Sequence, residues 1–128
     1  MELADIRDYL KTLDAAEYYN IGRLNNKKEK SLGVYSRTRS GPPVHAIGQP
    51  SSYDIKAVTL LLHWNQDARE TEQAALTLWN KLLEAEQITI GGTPVYYLQM
   101  QVPEPVAVGT DDNGVYEYVI DFNLYFRR

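Results

Sequence analysis

The sequence predicts an α+β fold: an antiparallel or mixed sheet of the split β-α-β kind, with about four to five strands and two helices packed on one face. Three observations carry this expectation. Residues 115–126 alternate, with Tyr116, Tyr118, Ile120, Phe122, Leu124 and Phe126 set against Glu117, Asp121 and Asn123. Period two places the two sets on opposite faces of one pleated strand. Residues 53–64, a helical stretch and residues 95–102 then form a β-α-β crossover, right-handed by strong preference. Finally, the turn residues 109–114 make the last strand antiparallel to its predecessor. Inserting it between the two crossover strands gives the split arrangement.

The elements follow in order. Leu3, Ile6, Leu10 and Leu13 recur at helical spacing, with Asp5, Arg7, Asp8, Lys11 and Thr12 between them. This predicts a short amphipathic helix that lays one stripe on the sheet. Two short β-like runs, Tyr18 to Leu24 and Leu32 to Arg37, are joined by the polar residues 25–30 and read as a hairpin. Lys27, Lys28 and Lys30 in that connection read as a solvated turn, because one short basic turn makes no continuous phosphate track.

Thr38 to Ser52 differs from its surroundings. It holds Gly41, Pro42, Pro43, Gly48 and Pro50, with Val44, Ala46 and Ile47 as its other apolar residues. Loops of this length without their own structure are uncommon inside domains and are often functional. Two readings stand level: a disordered surface loop, and an arm that orders against a neighbouring subunit. The second makes Val44, His45 and Ile47 candidate subunit-interface residues.

In the strand Tyr53–Trp64, Val58, Leu60, Leu62 and Trp64 share one face and Thr59, Leu61 and His63 the other. Apolar residues on both sides predict an inner strand. Asp67 with Glu70 three residues on resembles a capping box, so a helix should begin near Ala68. Ala75, Leu78, Trp79, Leu82 and Leu83 form its apolar arc. Gly91-Gly92 then breaks the chain. In residues 95–102, Tyr96, Leu98, Met100 and Val102 oppose Tyr97, Gln99 and Gln101, and Pro103-Glu104-Pro105 ends the strand.

Composition narrows the function. A chain of 128 residues fits one domain, 1–128, that buries roughly two-thirds of its unfolded surface. A net charge of −4 argues against nucleic acid or an anionic membrane as a partner. No apolar run is long enough to span a bilayer, and residues 1–5 lack the basic start of a signal peptide. Without cysteine there are no disulfides, no thiol catalysis and no zinc–thiolate site, which suits the cytosol. Ten tyrosines against two phenylalanines favour surfaces that are half dry and half wet, such as protein interfaces.

Enzyme signals are absent. His45 and His63 show no metal-binding spacing. Asp111-Asp112-Asn113-Gly114 resembles part of a calcium loop but lacks the distant bidentate Glu, so a plain turn is favoured. Glu104, Asp111, Asp112 and Glu117 could supply an acid–base pair, yet nothing marks a pocket around them. Neither a phosphate-cradling Gly-rich loop nor a nucleophile elbow occurs. No catalytic residue, cofactor or metal ligand is assigned.

Residues 19–24 (Tyr-Asn-Ile-Gly-Arg-Leu), Gly33-Val34-Tyr35, Leu62-His63-Trp64-Asn65 and residues 109–118 together resemble a family of small minor capsid proteins of long-tailed phages, grouped with their tail terminators. The similarity runs through nearly the whole chain and rests on strands and turns. It implies a virion protein assembled in the host cytoplasm. Such a protein forms a homo-hexameric ring, caps the tail tube protein and joins it to a head-completion protein. A small monomeric ligand-binding domain, with a pocket under Trp64 and Trp79, is the alternative.

Overall fold

The computed structural model describes residues 1–22, 28–37 and 53–127. Two helices, α1 (Leu3–Thr12) and α2 (Ala68–Leu83), accompany seven strands: β1 (Tyr18–Ile21), β2 (Ser31–Ser36), β3 (Tyr53–His63), β4 (Thr89–Ile90), β5 (Thr93–Met100), β6 (Val106–Thr110) and β7 (Tyr116–Arg127). They form one sheet in the order β1-β2-β3-β7-β5-β4, with β6 also on β7. β7 is the longest strand and is antiparallel to β3, β5 and β6. Since β3 and β5 both run against β7, which lies between them, the split β-α-β arrangement is present.

The sheet is larger than the expected four to five strands. The additions are β4, which buries only Ile90, and β6, which buries none of its residues. β4 exists because Gly91 and Gly92, at φ +58° and +78°, allow the two-residue turn of a hairpin with β5. β6 exists because β7 runs beyond β5. The ladder of β5 covers Phe122–Phe126, and β6 takes up the same side of β7 along Tyr116–Val119. All five of its residues are exposed, so no hydrophobic pattern announced it.

A second correction concerns the predicted first hairpin. β1 and β2 pair in parallel, with Tyr19 beside Leu32 and Ile21 beside Val34. Its ends are tied from outside the strand. The Ala15 and Ala16 amides both donate to the Tyr19 hydroxyl at 2.9 Å, and Gly22 N–H donates to Val34 O at 2.7 Å. A polar connection is compatible with either direction; the ladder to Ser31–Val34 and the Gly22–Val34 bond hold the parallel one, while the Tyr19 hydroxyl anchors the strand locally.

Both helices cover one face of the sheet. Ile6 and Leu10 of α1 and Ala75, Leu78, Trp79 and Leu82 of α2 join Leu32, Val34, Val58, Leu60, Leu62, Ile120, Phe122 and Leu124 in a single buried cluster. The register explains it: Leu60 faces Ile120, Val58 faces Phe122, and Leu32 faces Leu62. α2 begins where expected, with Asp67 Oδ1 accepting the Arg69 and Glu70 amides at 3.0 and 3.1 Å. Leu83 does not belong to its apolar arc, being 56% exposed, and Thr71 is buried instead. On β5 the expected alternation breaks at a bulge. Val95 opposes Phe126 and Tyr97 opposes Tyr125, which leaves Tyr96 as the extra residue.

Candidate functional site

The face of the sheet turned away from the helices carries the polar parity of every long strand. Its residues form three groups along the strands. At one end His63 of β3 is buried, with Nδ1 3.1 Å from Glu117 Oε2 on β7 and Nε2 3.7 Å from Asp111 Oδ2. Asp111 opens the β6–β7 turn. Its Oδ1 accepts the Val115 amide at 3.0 Å and the Asn113 amide at 2.9 Å. Those bonds, Val115 first, then Asn113 and the nearby His63 ring, hold its carboxyl below the usual range against the opposing cost of desolvation. Asp111 is thus a turn residue whose acceptor capacity is used by backbone. The Tyr35 ring lies across Gly33, where a Cβ would stand 2.8 Å from a ring carbon. Burial, and then the Glu117 carboxylate, raise the Tyr35 phenol.

In the middle, Arg37 spans three strands. Its Nη1 donates to Val58 O at 2.8 Å and lies 3.4 Å from Asp121 Oδ1, while Nη2 donates to Asn123 Oδ1 at 2.8 Å. Thr59 donates to the same Asp121 oxygen at 2.6 Å. At the far end the face becomes aromatic. Tyr97 stacks on Tyr125 at 4.3 Å between centroids, Tyr53 lies 6.3 Å from Tyr125, and Tyr125 Oη donates to Gln99 at 3.0 Å. Tyr96 and Tyr97 are more than half exposed.

Chemically this face offers ties and contact area. His63 is 1% exposed; its Nδ1 joins β3 to β7 through Glu117, while its Nε2 faces Asp111 at 3.7 Å without a hydrogen-bond partner among the described residues. Among the described residues, no three His, Asp or Glu side chains are placed to hold a metal ion. The groups on β3 and β7 were half legible, since His63, Thr59, Glu117 and Asp121 all show polar parity. Which of them meet depends on register, with His63 opposite Glu117 and Thr59 opposite Asp121.

The candidate interface residues Val44, His45 and Ile47 lie outside the described residues. The described chain stops at Arg37 and resumes at Tyr53, beside Tyr125. Among the described residues, the hollow that Trp64 lines does not include Trp79. It has a volume of about 320 Å³ and is also lined by Glu17, Lys30 and Lys81, whereas Trp79 is buried.

No curated protein matches the chain. The family model described as bacteriophage tail terminator protein matches residues 9–127, from within α1 to the end of β7. The chain belongs to the bacteriophage tail terminator family, whose members are structural parts of the virion in contact with tail and head components.

Proposed function

We propose that the chain, folded as one tail-terminator domain over residues 1–128, assembles in the host cytoplasm into a homo-hexameric ring. The ring caps the finished tail tube and presents a surface to a head-completion protein. The observation that carries this reading is the family match across residues 9–127. The shape of the open face agrees with it. Exposed tyrosines offer large contact area with little side-chain entropy to lose, which suits a protein partner better than a small ligand. Tyr53, where the described chain resumes, lies beside Tyr125, and we assign Val44, His45 and Ile47, outside the described residues, to the contact with a neighbouring subunit.

Size-exclusion chromatography with light scattering, on the chain alone and with purified tail tubes, tests the ring. A sixfold mass, free or on the tube end, is the expected result. A chain that remains a monomer and leaves the tube end bare would refute it. Deleting residues 41–49 should leave the thermal melt nearly unchanged and abolish ring formation. Full assembly of the deleted protein would remove Val44, His45 and Ile47 from the interface.

A further inference from the structure

We infer that each subunit receives its neighbour in an acidic, apolar groove between α2 and β6, and that the group received is the pair Tyr18 and Lys28 at the β1 edge of the next copy. The inference rests on the ring reading above and names the surfaces that would close it.

The topology puts two different free edges at opposite sides of the same end of the sheet. Across that end the register runs Tyr18, Ser31, His63, Glu117, Gly109, which is β1, β2, β3, β7 and β6 in turn. With strands about 4.8 Å apart, β1 and β6 stand roughly 19 Å from each other. Among the described residues no strand pairs with the outer side of either. A closed ring joins unlike patches head to tail, so a subunit needs two distinct surfaces on opposing flanks. This pair of edges has that geometry.

The two edges also differ in chemistry. The groove beside β6 has a volume of about 330 Å³ and is lined by Leu76, Pro105, Val106 and Tyr118, with Glu72 and Glu104 at its sides. Leu76 and Val106 are 41% and 44% exposed, large for apolar side chains that share one hollow. No Lys or Arg is among its lining residues, and among the described residues neither glutamate has a cationic partner. Burial raises the Tyr118 phenol, and the Glu72 and Glu104 carboxylates raise it further, which places both charges on the same groove.

At the opposite edge the Lys28 ammonium sits 5.4 Å from the centroid of the Tyr18 ring, itself 42% exposed. Ser31 Oγ donates to the Lys28 carbonyl at 2.7 Å and fixes that residue beside the strand. Glu17 and Glu29 flank the pair in sequence, so the complementarity is local to the ring and its cation. The aromatic ring matches the apolar floor, and the ammonium matches the space between two carboxylates. Tyr118 and Leu76 would then be covered without stranding a charge.

Charge exchange tests this. Glu72→Lys with Glu104→Lys, both at exposed positions, should raise the concentration for half-assembly by about tenfold or more, and so should Lys28→Glu alone. Combining all three should restore assembly, a rescue that a folding defect could not give. Circular dichroism melts of each variant check the fold independently. Carbodiimide coupling of the wild-type ring, read by mass spectrometry, should join Lys28 of one copy to Glu72 or Glu104 of another. If the wild type forms no ring even with tail tubes, the ring reading falls and this inference with it. If rings form and the glutamate variant assembles equally well, the ring stands and the groove is not its contact. Loss of assembly without rescue by Lys28→Glu would give the groove a different occupant and overturn the assignment.

Discussion

The two faces of the sheet are built from the same strands, yet they do different work. On the helix side, Val58, Leu60, Leu62, Ile120, Phe122 and Leu124 are buried together under α1 and α2. On the other side, the residues between them, Thr59, Glu117, Asp121 and Tyr125, are only half-buried and meet in discrete pairs. The helix face gains from water removed from apolar area, which is cumulative and indifferent to partner identity. The open face gains from particular hydrogen bonds, each worth about 1 kcal/mol net. Stability therefore concentrates on one side, and the other is left with specific groups and exposed aromatic area for contact with other molecules. His63 is an exception, with Ser31 and Asn123: these polar side chains on the open face are as buried as the core.

Substitutions on adjacent parities of β7 put this contrast to its hardest test. Phe122→Ala should cost roughly 3–5 kcal/mol in urea melts, from lost transfer energy and the cavity left behind. Tyr125→Ala on the opposite face should cost under about 1.5 kcal/mol, since it loses the ring contacts with Tyr97 and Tyr53 and one exposed hydrogen bond. Equal costs would mean that the open face is a second core.

His63→Ala measures one such exception. It removes a buried ring that faces Glu117 and Asp111 and should destabilise by about 1–3 kcal/mol. A loss under about 0.5 kcal/mol would show that the ring ties nothing together. Gly91→Ala probes how the helix face is anchored at its rim. A Cβ there would meet the Asp5 carboxyl carbon at 2.6 Å, while Asp5 Oδ2 accepts the Glu2 amide at the start of α1. With φ at +58°, a cost of roughly 1–2 kcal/mol is expected by the same melts.

The smallest effect is one of pH and belongs to the open face. Asp111 is held below the usual carboxylate range in the folded chain, chiefly by the Val115 amide. The unfolded chain therefore takes up this proton first as pH falls. The stabilisation is complete above the ordinary carboxylate value and is lost as pH drops through the lower folded value. Acid titration followed by circular dichroism should show a shallower decline for Asp111→Asn than for the wild type. Identical profiles would mean that the turn does not depend on the charge.

Comparing these regions also shows what could be read in advance. The helix face was legible because its signals are local: period two in residues 115–126, helical spacing from Ala75 to Leu82, and Asp67 as a cap. The open face was legible only as a set of polar residues. That His63 would find Glu117 and Asp111, or that Arg37 would reach Asn123, depends on a register between residues far apart in the chain.

The sequence by itself determined the split β-α-β core, the length and orientation of β7, the turn at Asp111 and the resemblance to tail terminators. Periodicity, turn chemistry and capping are properties of a few neighbouring residues, and burial then follows from them. The tertiary structure alone decided the parallel pairing of β1 with β2, the bulge at Tyr96, and β6 with the groove it forms against α2. None of these has a hydrophobic signal of its own. β1 takes its direction from its ladder to β2 and the bond to Val34, and β6 forms because β7 extends past β5 with backbone groups left to pair.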